Sequence, residues 1–80
     1  MVVFQRSTTK NKKYDAILAD GTRVPFGDTR YQHYHDKIGL YRHLDHNDPK
    51  RRENFRRRHG AQGFHQRKNS PAFFAWNYLW

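Results

Sequence analysis

The sequence predicts a small α+β domain in which an N-terminal β-hairpin is followed by two or three short helices. Three observations lead to this fold class. Asp20-Gly21 lies between two β-forming runs, which is a strong local signal for a hairpin. Asp48-Pro49 opens an arginine-rich run that Gly60 closes, which is the pattern of a capped helix. Ser70-Pro71 opens an aromatic run with the same cap-then-proline start.

Composition limits the core and the classes of partner. The 80 residues form one small domain with a formal charge of +9, so buried area is limited and self-repulsion opposes folding. The six Phe, five Tyr and two Trp can each bury about 150–250 Å², so we expect an aromatic core. Without cysteine, disulfides and thiolate zinc sites are excluded. No apolar run suits a membrane span or a signal-peptide core, and we expect neither.

The N-terminal stretch is basic. Residues 1–13 contain Arg6, Lys10, Lys12 and Lys13 and no acid. We therefore predict a basic N-terminal arm over residues 1–13 and one domain over residues 14–80. A frayed terminus is the alternative, since unpacked chain ends are commonly poorly ordered.

The hairpin is predicted from Tyr14–Leu18 and Arg23–Phe26, with a turn at residues 19–22. Pro25 has no N–H group to donate to a neighbouring strand. The second strand is therefore expected at an edge of the sheet.

A helix is predicted between the hairpin and the basic run. Tyr31, Tyr34, Ile38 and Tyr41 fall at spacings of three and four, which places them on one helical face. Gly39 disfavours a helix interior by about 1 kcal/mol relative to alanine. The pattern therefore leaves open whether residues 29–46 form one continuous helix.

The basic helix is predicted to begin at Pro49 and to end at His59, with Gly60 beyond its end. Phe55 is its one large apolar residue and is expected to dock it. Glu53 is its single acid, so most of the positive charge of the helix has no opposite charge beside it. A polyanionic or acidic partner is therefore expected to bind this helix. The predicted contacts to this partner are Lys50, Arg51, Arg52, Arg56, Arg57, Arg58, Arg67, Lys68, Lys10, Lys12 and Lys13.

The uncharged C-terminal run is rich in aromatic rings. Part of it is expected to close the core, and part to anchor the protein on a partner, because exposed aromatic patches mark interfaces. The predicted anchor residues are Phe74, Trp76, Tyr78 and Trp80. The alternative is that the whole run belongs to the core.

These motifs resemble a family of small basic domains of unknown function in large DNA viruses of algae and amoebae, the nucleocytoplasmic large DNA viruses. The likeness spans about Lys13 to Trp80. It depends on Phe26-Gly27, His46-Asn47-Asp48-Pro49, Arg58-His59, Ser70-Pro71, Phe74, Trp76 and Leu79-Trp80. The sequence departs from that family in a longer stretch between Gly27 and His46 and a more basic stretch over 64–69. The resemblance implies a virus-encoded, non-enzymatic protein that is a component of the virion.

No catalytic constellation stands out, and we predict neither an enzyme, a cofactor nor a small-molecule substrate. His43 and His46 are three apart and could share a helical face as metal ligands. They have no accompanying HExxH motif or cysteine pair, so no metal site is predicted.

Two functions follow from these features. The first is a structural virion protein of minor capsid or cement type, located in the virion and assembled in the host cytoplasm or nucleus. Its partners would be capsid or other virion proteins with acidic surfaces. The second is a nucleic-acid-binding protein that packages or condenses the viral genome by contacting double-stranded DNA. We place the virion component first and nucleic-acid binding as the alternative, because the uncharged aromatic run favours a protein surface as partner. If that run is only core, this reason is lost.

Overall fold

The computed structural model describes residues 2–80, apart from the side chain of Phe64. Three strands, β1 (Val3–Arg6), β2 (Lys12–Ile17) and β3 (Arg23–Asp28), form an antiparallel sheet in the order β1-β2-β3. Two α-helices follow, α1 (Pro49–Gln62) and α2 (Pro71–Tyr78). The predicted α+β class, with a hairpin followed by helices, is confirmed.

The predicted hairpin is formed by β2 and β3. Leu18 N donates to Thr22 O at 2.9 Å and Gly21 N donates to Leu18 O at 2.9 Å, which closes the turn at the predicted residues. Pro25 lies opposite Asp15 on β3, an edge strand as expected.

The predicted basic arm is corrected at residues 3–6, which form the other edge of the sheet. Phe4 pairs with Ala16 across β1 and β2. Its ring makes edge-on contacts with Phe26 and Phe74, both at 5.9 Å between centroids. One half-buried ring flanked by exposed residues packs on the core and, with the backbone pairing to β2, holds this short strand. The charge count of the segment gave no sign of it. Met1, where the predicted arm begins, lies outside the described residues.

The predicted helix between hairpin and basic run is wrong. Residues 29–48 form an irregular loop whose only helical piece, among the described residues, is a 3-10 turn at Arg42–Leu44. The carboxylate of Asp36 accepts hydrogen bonds from the backbone N–H groups of Ile38, Gly39 and Tyr41. These side-chain bonds compete with a helical ladder, and Gly39 adopts a φ of 112° that a helix does not allow.

Helix α1 starts as predicted and ends later. Asp48 caps it by accepting from Lys50 N at 3.0 Å and Arg51 N at 3.4 Å. The helix continues through Gly60, and Gly63 takes the left-handed position that ends it, with a φ of 72°. The sequence offered two glycines three residues apart, and only the second has this conformation.

Helix α2 closes the core. Ser70 caps it by accepting from Phe73 N at 3.1 Å, as predicted. The buried apolar residues are mostly aromatic, as expected: Tyr14, Ala16, Phe26, Phe74 and Leu79. Phe74 packs on Phe26 with 5.5 Å between centroids, which joins α2 to the sheet.

Candidate polyanion-binding groove and buried polar network

Helix α1 displays four exposed cations, which we call the basic face: Lys50, Arg51, Arg57 and Arg58. Glu53, the single acid of the helix, is bonded to Arg57 at 2.7 Å. Beyond α1, the other exposed cations among the predicted contacts are Lys10, Lys12, Arg67 and Lys68. These eight side chains are exposed, and their assignment to a partner stays a prediction.

A groove of about 530 Å³ runs between α1, the end of the sheet and α2. Arg51, Phe55 and Arg58 line one wall because residues four and seven apart lie on one face of a helix. Tyr31 and Gln32 contribute from the loop, and Arg51 Nη1 donates to Gln32 Oε1 at 3.0 Å. The groove therefore combines guanidinium groups with an aromatic ring and an amide.

The groove contains one carboxylate, and that carboxylate is already neutralised. Arg30 donates to both oxygens of Asp28, at 3.0 and 2.8 Å. The Arg30 hydrogen bonds lower the pKa of Asp28 to about 2, so the carboxylate stays ionised and paired. Burial lowers the pKa of His59, and the charge of Arg58 lowers it further. The cations that remain on the α1 wall are Arg51 and Arg58.

A smaller cavity of about 220 Å³ adjoins the groove. It shares Gly27, Phe55, His59 and Ala75 with the groove, and Lys12 and Trp76 are among its other lining residues. At Gly27 an added Cβ would lie 3.0 Å from Leu79 Cδ1 and 3.1 Å from Lys13 Cβ. A side chain at position 27 would therefore be too close to Leu79 and Lys13, which pack against this glycine.

Two arginines of α1 contact other residues of the chain, which corrects their assignment to a partner. Arg52 Nε donates to Trp80 O at 2.7 Å, and its guanidinium lies 5.0 Å from the centroid of Tyr34. Arg56 lies over Trp76 at 4.4 Å. Burial lowers the pKa of Arg56, and the charge of Arg52 adds to this. Both side chains hold α1 against neighbouring aromatic residues.

The predicted anchor residues also make contacts inside the molecule. Phe74 is 1% exposed and belongs to the core, which rules it out as an anchor. Trp80 stacks on Phe55 with 4.1 Å between centroids and an angle of 3°. Trp76 stacks on His65 at 3.9 Å, and Tyr78 packs on Phe4 at 4.6 Å. Phe55 docks α1 as expected, and its ring packs against Trp76 and Trp80.

Lys13 is the third corrected cation, because it is 2% exposed. Its Nζ donates to Tyr31 O at 3.0 Å and lies 2.8 Å from His33 Nδ1. Burial lowers the pKa of Lys13 to about 8, although Asp28, Asp36 and Asp45 act in the opposite direction.

Lys13 belongs to a buried polar network that joins β2 to the loop: Lys13, Tyr14, His33, Asp36 and Asp45. His33 Nε2 lies 2.5 Å from Asp45 Oδ1, which also accepts from Asp36 N at 2.8 Å. An ionised carboxylate only accepts, so Nε2 of His33 carries the proton and Nδ1 accepts from Lys13. Burial lowers the pKa of His33, and the charge of Lys13 lowers it further, against the effect of Asp45.

Asp36 is the second carboxylate of the network. Tyr14 donates its hydroxyl to Asp36 Oδ2 at 2.5 Å and accepts from Leu40 N at 2.9 Å. Burial alone would raise the pKa of Asp36, but the hydrogen bonds from Tyr14, Gly39, Tyr41 and Ile38 lower it. Burial and the bond to Asp36 raise the pKa of Tyr14.

Sequence reasoning missed this network. One signal in the sequence pointed to an irregular loop here. Asp36 is followed closely by Gly39, and this glycine already disfavours the predicted helix. The pairing of that stretch with the Lys13-Tyr14 strand is a long-range contact, and local patterns do not encode it.

Residues 2–59 match a family of unknown function, DUF5754. This match covers more than half of the chain. The chain belongs to the DUF5754 family. No curated protein and no solved structure matches it.

In this DUF5754 chain the match includes the sheet, the polar network and most of α1, whereas α2 lies outside it. The family has no assigned function. The resemblance to viral domains therefore stays a prediction. Within residues 2–80, no helix has the length and apolar character needed to cross a membrane. In the same described part, no three His, Cys, Asp or Glu side chains are grouped to hold a metal ion.

Proposed function

We propose that this protein binds nucleic acid, without catalysing a reaction, through the basic face of α1 and the groove beside it. The observation that carries the proposal is the exposed set Lys50, Arg51, Arg57 and Arg58, opposed within the helix by Glu53 alone. Several exposed cations on one helix can contact phosphates of a polyanion, and binding gains free energy by releasing the counterions of that polyanion.

The packing of the aromatic run supports nucleic-acid binding over the virion-component prediction. That prediction needed free rings to anchor the protein on a capsid surface. Trp80 is stacked on Phe55 and Phe74 is in the core, so these rings are already in use. The basic face needs no such anchor. A role inside a virus particle, with capsid proteins as partners, stays a prediction from the resemblance.

The proposal is tested by fluorescence anisotropy with single-stranded and double-stranded DNA, as salt rises from about 0.05 to 0.2 M. Multiple phosphate contacts give a logarithm of affinity that falls linearly with the logarithm of salt, with a slope of about −0.7 to −0.9 per contact. Arg57→Gln/Arg58→Gln is expected to weaken binding to both strand types and to make the slope shallower.

A matched double variant removes the same charge elsewhere. Arg67 and Lys68 are exposed outside α1, and Arg67→Gln/Lys68→Gln is expected to weaken binding less than the α1 variant. Equal weakening by the two variants would mean that only net charge matters. Absence of binding to either DNA at the lowest salt would overturn the proposal.

A further inference from the structure

The groove has a chemistry that the exposed basic face lacks. Arg51 and Arg58 lie on its α1 wall, Gln32 holds Arg51 through its amide oxygen, and Tyr31 lines the loop side. The Tyr31 side of the groove is open, since this residue is 64% exposed. A volume of about 530 Å³ suits a small-molecule-sized group.

We infer that the groove takes one unpaired nucleotide of a nucleic-acid strand, with its base on the ring of Tyr31 and its flanking phosphates at Arg51 and Arg58. This inference rests on the proposed function and gives it a preference for single strands. Sites for single strands combine cations that follow the backbone with aromatic rings on which bases stack.

The spacing of the two arginines favours a strand over a free nucleotide. Arg51 and Arg58 are seven residues apart, so their Cα atoms are separated by about 10.5 Å along the helix axis. Two long side chains at this separation can contact consecutive phosphates on either side of one nucleotide. A mononucleotide carries its charge at one end and would use one of the two.

Tyr31 favours an unpaired base over a duplex. Bases in a duplex already stack on their neighbours, and their faces are not available to a protein ring. The guanidinium of Arg30, which is paired with Asp28, lies over the Tyr31 ring at 5.8 Å from its centroid. Gln32 uses its carbonyl oxygen for Arg51, which leaves its NH₂ group to donate to an acceptor on a base edge.

The first test compares a short single-stranded oligonucleotide, its blunt duplex and a mononucleotide at equal phosphate concentration. We expect the single strand to bind tightest. Tyr31→Ala is expected to weaken single-strand binding about tenfold and leave duplex binding unchanged, whereas Tyr31→Phe keeps the parent's preference. Leu40→Ala removes another exposed apolar side chain of the same loop, outside the groove, and is expected to change neither affinity.

The second test uses two adjacent arginines. Arg58 lines the groove, whereas Arg57 is bonded to Glu53 outside it. Arg58→Gln is therefore expected to weaken single-strand binding more than Arg57→Gln, although each removes one charge. An iodouracil-substituted oligonucleotide should photo-crosslink to Tyr31, with the site read by mass spectrometry.

The outcomes separate the two proposals. Equal affinity of the parent for single strand and duplex, or a crosslink confined to residues outside the groove, overturns the inference and leaves the basic face in place. Equal affinity for the mononucleotide and the strand overturns the assignment of two phosphates. If no polynucleotide binds, the proposed function itself fails.

Discussion

The Nζ atom of Lys13 lies 2.8 Å from Nδ1 of His33, inside the fold rather than on the basic surface that the sequence predicts for it. This contact links β2 directly to the loop, where His33 is in turn bonded to Asp45. A residue counted as one of many surface cations therefore serves the stability of the fold.

The first prediction concerns this buried lysine. Lys13→Met leaves His33 Nδ1 and the Tyr31 carbonyl without their donor, and an unpaired buried polar group destabilises by about 1–3 kcal/mol. We expect a loss of about 2 kcal/mol in the free energy of unfolding, measured by urea denaturation. The exposed neighbour gives the control, since Lys12→Met should stay within about 0.5 kcal/mol of the parent. Equal losses in the two variants would contradict a special role for Lys13.

The second prediction concerns acid stability. The unfolded chain protonates His33 near the ordinary pKa of about 6.5, whereas the folded chain protonates it only at lower pH, because its pKa is lowered. Between about pH 7 and 5 the unfolded state therefore binds more protons, and the free energy of unfolding falls as pH falls. The pKa values of His46 and His59 are also lowered and act in the same direction.

A variant separates the His33 contribution from the others. Gln at position 33 keeps one acceptor for Lys13 and one donor for Asp45 but does not titrate. His33→Gln is therefore expected to lose less stability than the parent between about pH 7 and 5, as measured by denaturation at each pH. Burial lowers the pKa of Lys13 to about 8, which lies above this window. Parallel profiles for variant and parent would refute the assignment.

The third prediction concerns Asp36, whose carboxylate accepts from Tyr14 and three backbone N–H groups. Asp36→Asn replaces one acceptor oxygen by an NH₂ donor that faces other donors. We expect a loss of about 2–3 kcal/mol in thermal or urea unfolding. Asp20→Asn is the control, since Asp20 is exposed and accepts from one backbone N–H in the hairpin turn. A loss below about 1 kcal/mol at Asp36 would contradict its role in fixing the loop.

The fourth prediction compares two glycines with positive φ. Gly21 and Gly27 have φ values of 88° and 75°, so alanine is strained at both. At Gly21 a Cβ meets nothing within 4 Å, whereas at Gly27 it meets Leu79 and Lys13 at 3.0 and 3.1 Å. Gly27→Ala is therefore expected to destabilise by about 1–2 kcal/mol more than Gly21→Ala, in urea unfolding. Equal losses of stability in the two variants would mean that Leu79 and Lys13 move away from the added Cβ at no cost.

The elements that begin with a helix cap or are joined by a tight turn were predictable from the sequence. Asp48-Pro49 and Ser70-Pro71 fix helix starts through local hydrogen bonds, and Asp20-Gly21 fixes a turn. The segment 29–48 was not predictable, because the hydrogen bonds of Asp36 prevailed over the helical spacing of its apolar residues. In β1, Phe4 packs against the core and the other residues of the strand are exposed. One apolar residue does not form an alternating pattern, so the sequence does not predict this strand.

The candidate site was predictable in type and only partly in membership. Arginine density located the basic face on α1, where Arg51, Arg57 and Arg58 are exposed. Local patterns could not tell that Arg52 and Arg56 meet Tyr34 and Trp76, since these contacts join distant parts of the chain.

The loop that carries Tyr31 and Gln32 has no regular secondary structure, yet hydrogen bonds hold its backbone on both sides of these residues. Thr29 N donates to Asn11 O at 3.0 Å, Lys13 holds the Tyr31 carbonyl, and His33 N donates to Leu44 O at 3.1 Å. Ordering a flexible segment on binding costs conformational entropy, which weakens affinity. Because these hydrogen bonds already fix the backbone of the loop, a ligand that contacts it loses little binding free energy to ordering the loop.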